Sequence, residues 1–261
     1  MGRIIAVANQ KGGVGKSTTA VNLAAALGDK GKKILIVDFD PQGNTTTSFG
    51  ISKKSIRNTV YEVILGECRG VEAIVATQFK GVSVIPAKTN LAATTVEMLE
   101  MENRVKRLKM VLLPLKPDYD YILIDCPPSL DMLTTNALTA ADSVIIPMLC
   151  EFLSLEGLVE IRDTIRRIQE HANPNLEIEG ILFTMYVPRY NLTLQVADEV
   201  KKFFAKNVFE TVIPRNIALS EAPSFGKPCL YYDKKAKGTK AYEELAKELM
   251  RREKKRLRKE G

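Results

Sequence analysis

The chain has 261 residues, 45% of them hydrophobic and 26% charged, the composition of an ordinary globular protein long enough to bury a proper core. No apolar run approaches the roughly 18 to 20 residues needed to cross a bilayer, and the opening MGRIIAVANQ runs straight into a strand-like stretch with no signal-peptide pattern, so a cytoplasmic protein is expected. The net charge of +7 is local: RREKKRLRKEG at the end carries seven basic side chains against Glu253 and Glu260, leaving the other 250 residues at only +2.

Short continuous apolar runs predict strands at Arg3–Asn9, Lys33–Asp38, Val82–Pro86, Tyr121–Asp125, Ser143–Met148, Ile178–Met185 and Phe209–Pro214. Runs such as YILID and SVIIPM do not alternate, the mark of strands covered on both faces. Helical patterns lie between them at Ser17–Lys30, Leu91–Leu113, Met132–Ala141, Leu155–Ala172, Leu192–Lys206 and Lys240–Lys259. This alternation predicts an α/β fold: one domain over residues 1–261, with a mostly parallel, doubly wound sheet flanked by helices and a basic C-terminal helix over about 238–259.

The first predicted strand leads into NQKGGVGKSTT and then a helix, the context a phosphate-binding loop requires. Gly12, Gly13 and Gly15 let the backbone curl so that successive N–H groups, Val14's included, converge on phosphates. The positive end of the following helix adds to the attraction. Lys16 is placed to reach β- and γ-phosphates, Ser17 to ligate Mg²⁺, and Thr18 to offer a further hydroxyl. Gln10 occupies the first glycine position of the common pattern, and Lys11 is a second lysine on the same loop.

Two further strands end in acids. ILIVDFDPQGN carries Asp38 and Asp40 at the edge where α/β ligands bind, and YDYILIDCPPS carries Asp125. Asp125 is the expected acid that reaches the metal through a water; a purely structural part for Asp38 stays open. Cys68, Cys126, Cys150 and Cys229 are scattered without a C-x-x-C pair, which favours reduced thiols over a cluster built by one chain. The single histidine, His171, closes a helical pattern. Chemistry here must therefore run on carboxylates, lysines, backbone amides and metal.

KGGVGKST with DFDPQGN and DCPPSL resembles the ParA/MinD class of deviant-Walker ATPases, in which Lys11 is the signature lysine. IPRNIALSEAPSFGKP (Ile213–Pro228) is similar to the late motif of the Soj-type ParA family, the chromosome- and plasmid-partitioning ATPases. The resemblance spans roughly Arg3 to Leu249 and implies a P-loop NTPase fold, ATP and Mg²⁺ as cofactors, and slow ATP hydrolysis. It implies an ATP-dependent sandwich homodimer in which Lys11 of one subunit contacts the phosphates held by the other, with Gly12 at the closest approach. Lys11, Lys16 and Asp40 would be the catalytic set, Asp40 orienting the attacking water; Pro214 and Asn216 would flank and hydrogen-bond the base.

The family also implies nonspecific double-stranded DNA and a ParB-like protein as partners, a nucleoid location, and regulation of replication initiation as a compatible second role. Candidate DNA contacts are Arg189, Lys201, Lys202, Lys227, Lys234, Lys235, Lys237, Lys240, Lys247 and Arg251, the last three on one helix face. The loop begins within ten residues of the N-terminus, so no helix-turn-helix domain precedes it and backbone contacts without base readout are expected. A MinD-like membrane-bound factor is the alternative. Against it, Tyr242, Leu245, Ala246 and Leu249 pattern as a core face and only Leu257 is apolar beyond Met250, so no membrane attachment is expected. A third reading, an iron–sulfur protein of the same fold, would need Cys126 and Cys150 to bridge two subunits.

Overall fold

The computed structural model describes residues 2–260, with side chains through residue 258. Its strands are β1 (Arg3–Val7), β2 (Ile34–Asp38), β3 (Val75–Ala76), β4 (Val82–Ile85), β5 (Tyr121–Asp125), β6 (Ser143–Leu149) and β7 (Glu177–Thr184). They form one sheet in the order β3-β4-β2-β5-β1-β6-β7, parallel throughout except for the edge strand β3. The helices are α1 (Lys16–Asp29), α2 (Asn44–Ser48), α3 (Val60–Leu65), α4 (Thr94–Glu97), α5 (Arg107–Leu112), α6 (Met132–Ala140), α7 (Ser154–His171), α8 (Asn191–Phe204), α9 (Ile217–Glu221), α10 (Cys229–Tyr232) and α11 (Lys237–Glu260).

The pleat divides the strand residues between two apolar layers. Ile4, Leu35, Ile122 and Val144 face the layer built with α3, α5, α6, α7 and α8. Ile5, Ile34, Leu123 and Ile145 face the layer that holds α1 and α11. Each fully buried aliphatic side chain contributes about 1.5–3 kcal/mol, and both layers are needed because every central strand is buried on two sides. The C-terminal ends of β1, β2 and β5 therefore meet side by side, and the loops that leave them share one rim.

The doubly wound parallel sheet is as expected, but two segments differ. Phe209–Pro214 is not a continuous strand: Phe209 and Ile213 donate to the Ile181 and Phe183 carbonyls of β7 at 3.0 and 2.9 Å, and isolated bridges join Ile181 to Val208 and Tyr186 to Pro214. Between those two anchors the amides turn away: the Glu248 carboxylate on α11 accepts from the N–H groups of Glu210 and Thr211, both at 2.9 Å. Pro214 has no N–H to give. The expected helix Leu91–Leu113 is broken into α4, α5 and short 3₁₀ turns. Asn103 sits in the left-handed region at φ 55°, and Asn136 of α6 takes the Leu108 N–H and donates to the Arg104 carbonyl, groups a continuous helix would have paired internally.

The basic C-terminal helix is present as α11. Tyr242, Leu245, Ala246 and Leu249 are buried against the layer that contains α1, as their spacing predicts. Leu257 is exposed. Among the described residues no helix is long and apolar enough to cross a membrane.

Candidate functional site

The loop between β1 and α1 is shaped by two glycines in the left-handed region, Gly13 at φ 73° and Gly15 at φ 89°. Gly15 caps α1, and Thr184 at the end of β7 fastens the loop by donating its hydroxyl to the Val14 carbonyl at 2.8 Å. Gly12 is different: its φ is not positive, and a Cβ built on it would meet nothing within 4 Å. Nothing inside this chain requires glycine there.

The two loop lysines have different surroundings. Lys16 is 6% exposed and donates from Nζ to the Lys11 carbonyl at 2.8 Å. Burial pulls its pKa below the ordinary lysine value, against the opposing pull of Asp125, Cys126 and Asp40. A buried ammonium with no carboxylate bonded to it is a site built for an anion. Lys11 lies at the surface, its N–H donating to Asn9 Oδ1 at 3.0 Å and its ammonium to the Leu153 carbonyl just before α7.

Asp38 and Asp125 stand directly opposite each other in the β2–β5 register, and both are fully buried. Burial pushes both upward, Asp38 to about 6 and Asp125 to about 8, and their mutual repulsion adds to the Asp125 shift. Asp40 is 6% exposed, with its carboxylate accepting from the Gln42 N–H at 2.9 Å and its carbonyl from the Gly43 N–H at 2.8 Å. The sheet thus delivers three carboxylates and one ammonium to a single rim.

That rim opens into a pocket of about 600 Å³. Gly12, Gly13, Gly15, Lys16, Ser17, Thr18 and Asp40 line one part of it, and Pro214 and Asn216 line another. The residues expected to hold phosphate and base are therefore brought together although some 200 positions apart. Asp125 lies beneath the pocket, close to Ser17 and bonded to Thr45; Val14 is buried behind the loop. The donor set suits a hydrated divalent cation: a Ser17 hydroxyl at the pocket wall and, under it, the buried Asp125 Oδ1, which has no hydrogen-bond partner.

Several lining residues escaped the sequence reading. Gln42, Asn44, Thr47 and Ser48 come from the turn after Asp40, and Thr184, Met185 and Arg215 from segments remote in sequence. Met185 is a non-glycine residue at φ 49°, a conformation that costs energy and marks the pocket lip. The turn after Asp40 also meets the late segment directly: a Cβ on Gly226 would lie 2.7 Å from the Gly50 Cα, so the two backbones touch.

The expected DNA contacts distribute unevenly. Arg189, Lys201, Lys202, Lys234, Lys235, Lys237, Lys240, Lys247 and Arg251 are exposed on or beside α8 and α11. Arg189 lies 5.6 Å from the Tyr190 ring centroid. Lys202, Lys247 and Arg251 each pair with a carboxylate, Glu199, Glu244 and Glu210. Lys227 stands apart, lining the pocket. Cys126 and Cys150 are buried, and among the described residues no group of His, Cys, Asp and Glu is arranged as a metal cluster.

Comparison with known proteins gives a consistent picture. Residues 2–178 match the family model described as an AAA domain. The chain is 51% identical over 249 residues to the sporulation initiation inhibitor protein Soj of Bacillus subtilis, covering 95% of this chain and 98% of that one. It is 49% identical over 253 residues to the chromosome partitioning protein ParA of Myxococcus xanthus, covering 97% and 89%. Among solved structures, a cobyrinic acid a,c-diamide synthase of Mycobacterium smegmatis with bound ADP and magnesium superposes with a TM-score of 0.86 at 38% identity, covering 97% of this chain and 96% of that one.

Proposed function

Since this chain belongs to the Soj/ParA family of chromosome-partitioning ATPases, we propose that it is a DNA-segregation ATPase whose ATP·Mg²⁺-bound dimer holds DNA without sequence preference and is released by hydrolysis. The observation that carries this reading is the single pocket joining the glycine loop, Asp40 and Pro214–Asn216.

The parts divide the work. The loop amides and Lys16 hold the phosphates, the ammonium exchanging its bond to the Lys11 carbonyl for phosphate oxygen. Ser17 and, through a water, Asp125 would hold Mg²⁺, which when bound would supply positive charge to the phosphates. Asp40 orients water. A carboxylate is a weak base at neutral pH, so positioning carries the step and basal turnover is slow, leaving room for stimulation by a ParB-like partner. Pro214 and Asn216 flank the base.

Lys11 acts between copies. One loop and one divalent cation leave part of the charge of ATP uncompensated, and a lysine from a second subunit neutralises it only while the γ-phosphate is present. The empty space beside Gly12 supports this: a side chain there is harmless within one chain and obstructive to a second one. Nine exposed cations on and beside α8 and α11 supply phosphate contacts, and pairing two copies doubles them. The apolar side of α11 is spent on the core, which favours nucleic acid over a membrane.

Fluorescence anisotropy of a random-sequence duplex at moderate salt tests the reading, with ATP, ADP or no nucleotide. Binding with ATP alone, lost in Lys11→Ala although that variant still binds ATP, is the expected result. Equal binding in all three states would refute the switch.

A further inference from the structure

Beside the pocket, the first turn of α2 is a buried polar construction outside the glycine loop. Thr45 and Thr46 are both fully buried there. Thr45 donates its hydroxyl to Asp125 Oδ2 at 2.8 Å. Thr46 donates its backbone N–H at 2.7 Å and its hydroxyl at 2.6 Å to Asp38 Oδ2, and its hydroxyl oxygen accepts from the Ala87 N–H at 3.0 Å. Two adjacent residues of one short helix thus each hold one of two adjacent strand-end carboxylates.

The two carboxylates are not held alike. Asp38 accepts three bonds, the third a long one from the Asp40 N–H at 3.4 Å. Asp125 is anchored through Oδ2, while Oδ1 is buried and unpartnered. A buried carboxylate oxygen without a partner is costly, and it persists where a partner is supplied in another state. The terminal torsion of aspartate is soft, so the Thr45 bond on Oδ2, with Ser17 close by, decides which way Oδ1 is turned. The threonine donor is itself stiff, being β-branched and fully packed.

The neighbours of Thr45 point to what the arrangement serves. Asn44, Thr47 and Ser48 of the same helix line the nucleotide pocket, as does Asp40 four residues before it. We propose that Thr45 is a positioning residue for the magnesium site: it fixes the Asp125 carboxylate with Oδ1 free for the hydrated cation, and ties that carboxylate to the helix that walls the nucleotide. Thr46 has the separate task of holding Asp38, and through Ala87 the loop after β4. The inference rests on the nucleotide reading above and adds a residue to it.

The test is a Mg²⁺ titration at fixed ADP, read as the ADP-dependent rise in melting temperature, alongside ADP affinity measured in EDTA. Thr45→Val should raise the Mg²⁺ half-saturation about 10- to 100-fold, the usual cost of losing a residue that orients a metal-site carboxylate, with ADP affinity in EDTA unchanged. Thr45→Ser, which keeps the hydroxyl, should return it to the wild-type value. Thr46→Val should lower the melting temperature without moving the Mg²⁺ requirement. Should Thr45→Val fail to fold, Thr45→Ala removes the same donor and carries the same expectation. A wild-type Mg²⁺ requirement in the variant lacking the hydroxyl, or equal shifts at positions 45 and 46, overturns the assignment of Thr45 alone. A wild-type protein that ADP does not stabilise at any Mg²⁺ concentration sinks the nucleotide reading, and this proposal with it.

Discussion

Charge is handled in opposite ways at the two places where this molecule gathers it. At the strand ends Lys16, Asp38, Asp40 and Asp125 are withdrawn from water, and burial moves the pKa values of Lys16, Asp38 and Asp125 toward their neutral forms. On α8 and α11 the cations stand in solvent, some beside a carboxylate, where an ion pair is worth about 0–1 kcal/mol. The first arrangement makes each group individually indispensable to a charged ligand. The second makes them interchangeable, so that affinity depends on how many there are.

The sharpest way to break this contrast is through Lys11, which belongs to the loop by sequence but lies half-buried against the start of α7. Lys11→Ala should cut the ATPase rate by about 10³-fold or more, the scale of a cation supplied to the transferring phosphate from outside, while ATP affinity in the single chain stays near wild type. A rate within tenfold of wild type would place Lys11 with the solvated cations. Lys16→Ala comes next: losing a buried charge partner costs about 3–5 kcal/mol, and calorimetry should find ATP binding weakened by two to three orders of magnitude.

A smaller effect tests the buried carboxylates. Asp38 and Asp125 have folded pKa values raised to about 6 and about 8, against about 4 for an unfolded aspartate. The folded chain then holds more protons than the unfolded one in that interval, and stability falls as pH rises. In EDTA without nucleotide, the melting temperature should be higher at pH 6 than at pH 8, the window set by Asp125, and Asp125→Asn should flatten the difference. The smallest effect belongs to the surface. Lys240→Ala should reduce the slope of log binding constant against log salt by about 0.9 without altering sequence preference; abolition of binding by that one change would show that the surface is not additive after all.

The parts of the molecule that were legible in the sequence are those whose chemistry is local. YILID and SVIIPM announce buried parallel strands because nothing but two-sided cover explains them, and KGGVGKST announces its loop because the glycine backbone and the lysine are contiguous. Phe209–Pro214 has strand-like residues and reaches β7 at Phe209 and Ile213, yet Glu248, 38 positions beyond Glu210, takes the two amides between and breaks the ladder. The break in 91–113 likewise depends on Asn136 reaching in from another helix. Val75–Ala76 is too short to carry a pattern. In the pocket, Thr184, Met185 and Arg215 arrive by the folding of the chain, and no spacing in the sequence foretells which ends of β7 and its successors will face the loop. Thr45 and Thr46 sat in plain view in DPQGNTTT, but a run of threonines names no acceptor until the strands have set Asp38 beside Asp125.

The seating of α11 on α1 has a last consequence. Thr19, one turn into the helix that the phosphate loop opens, shares a hydrogen bond of 3.1 Å with the buried Tyr242 hydroxyl, and Leu245, Ala246 and Leu249 continue the contact inward. Glu248 meanwhile bolts the same helix to the segment beside β7. The cationic rod and the phosphate cradle are parts of one block. A block so joined has no hinge by which a nucleotide could swing the rod toward or away from a polyanion. On the dimer reading proposed above, what would remain adjustable is the spacing of one rod from the next when two blocks meet, the molecule then working as a ruler whose nucleotide sets whether it has one mark or two.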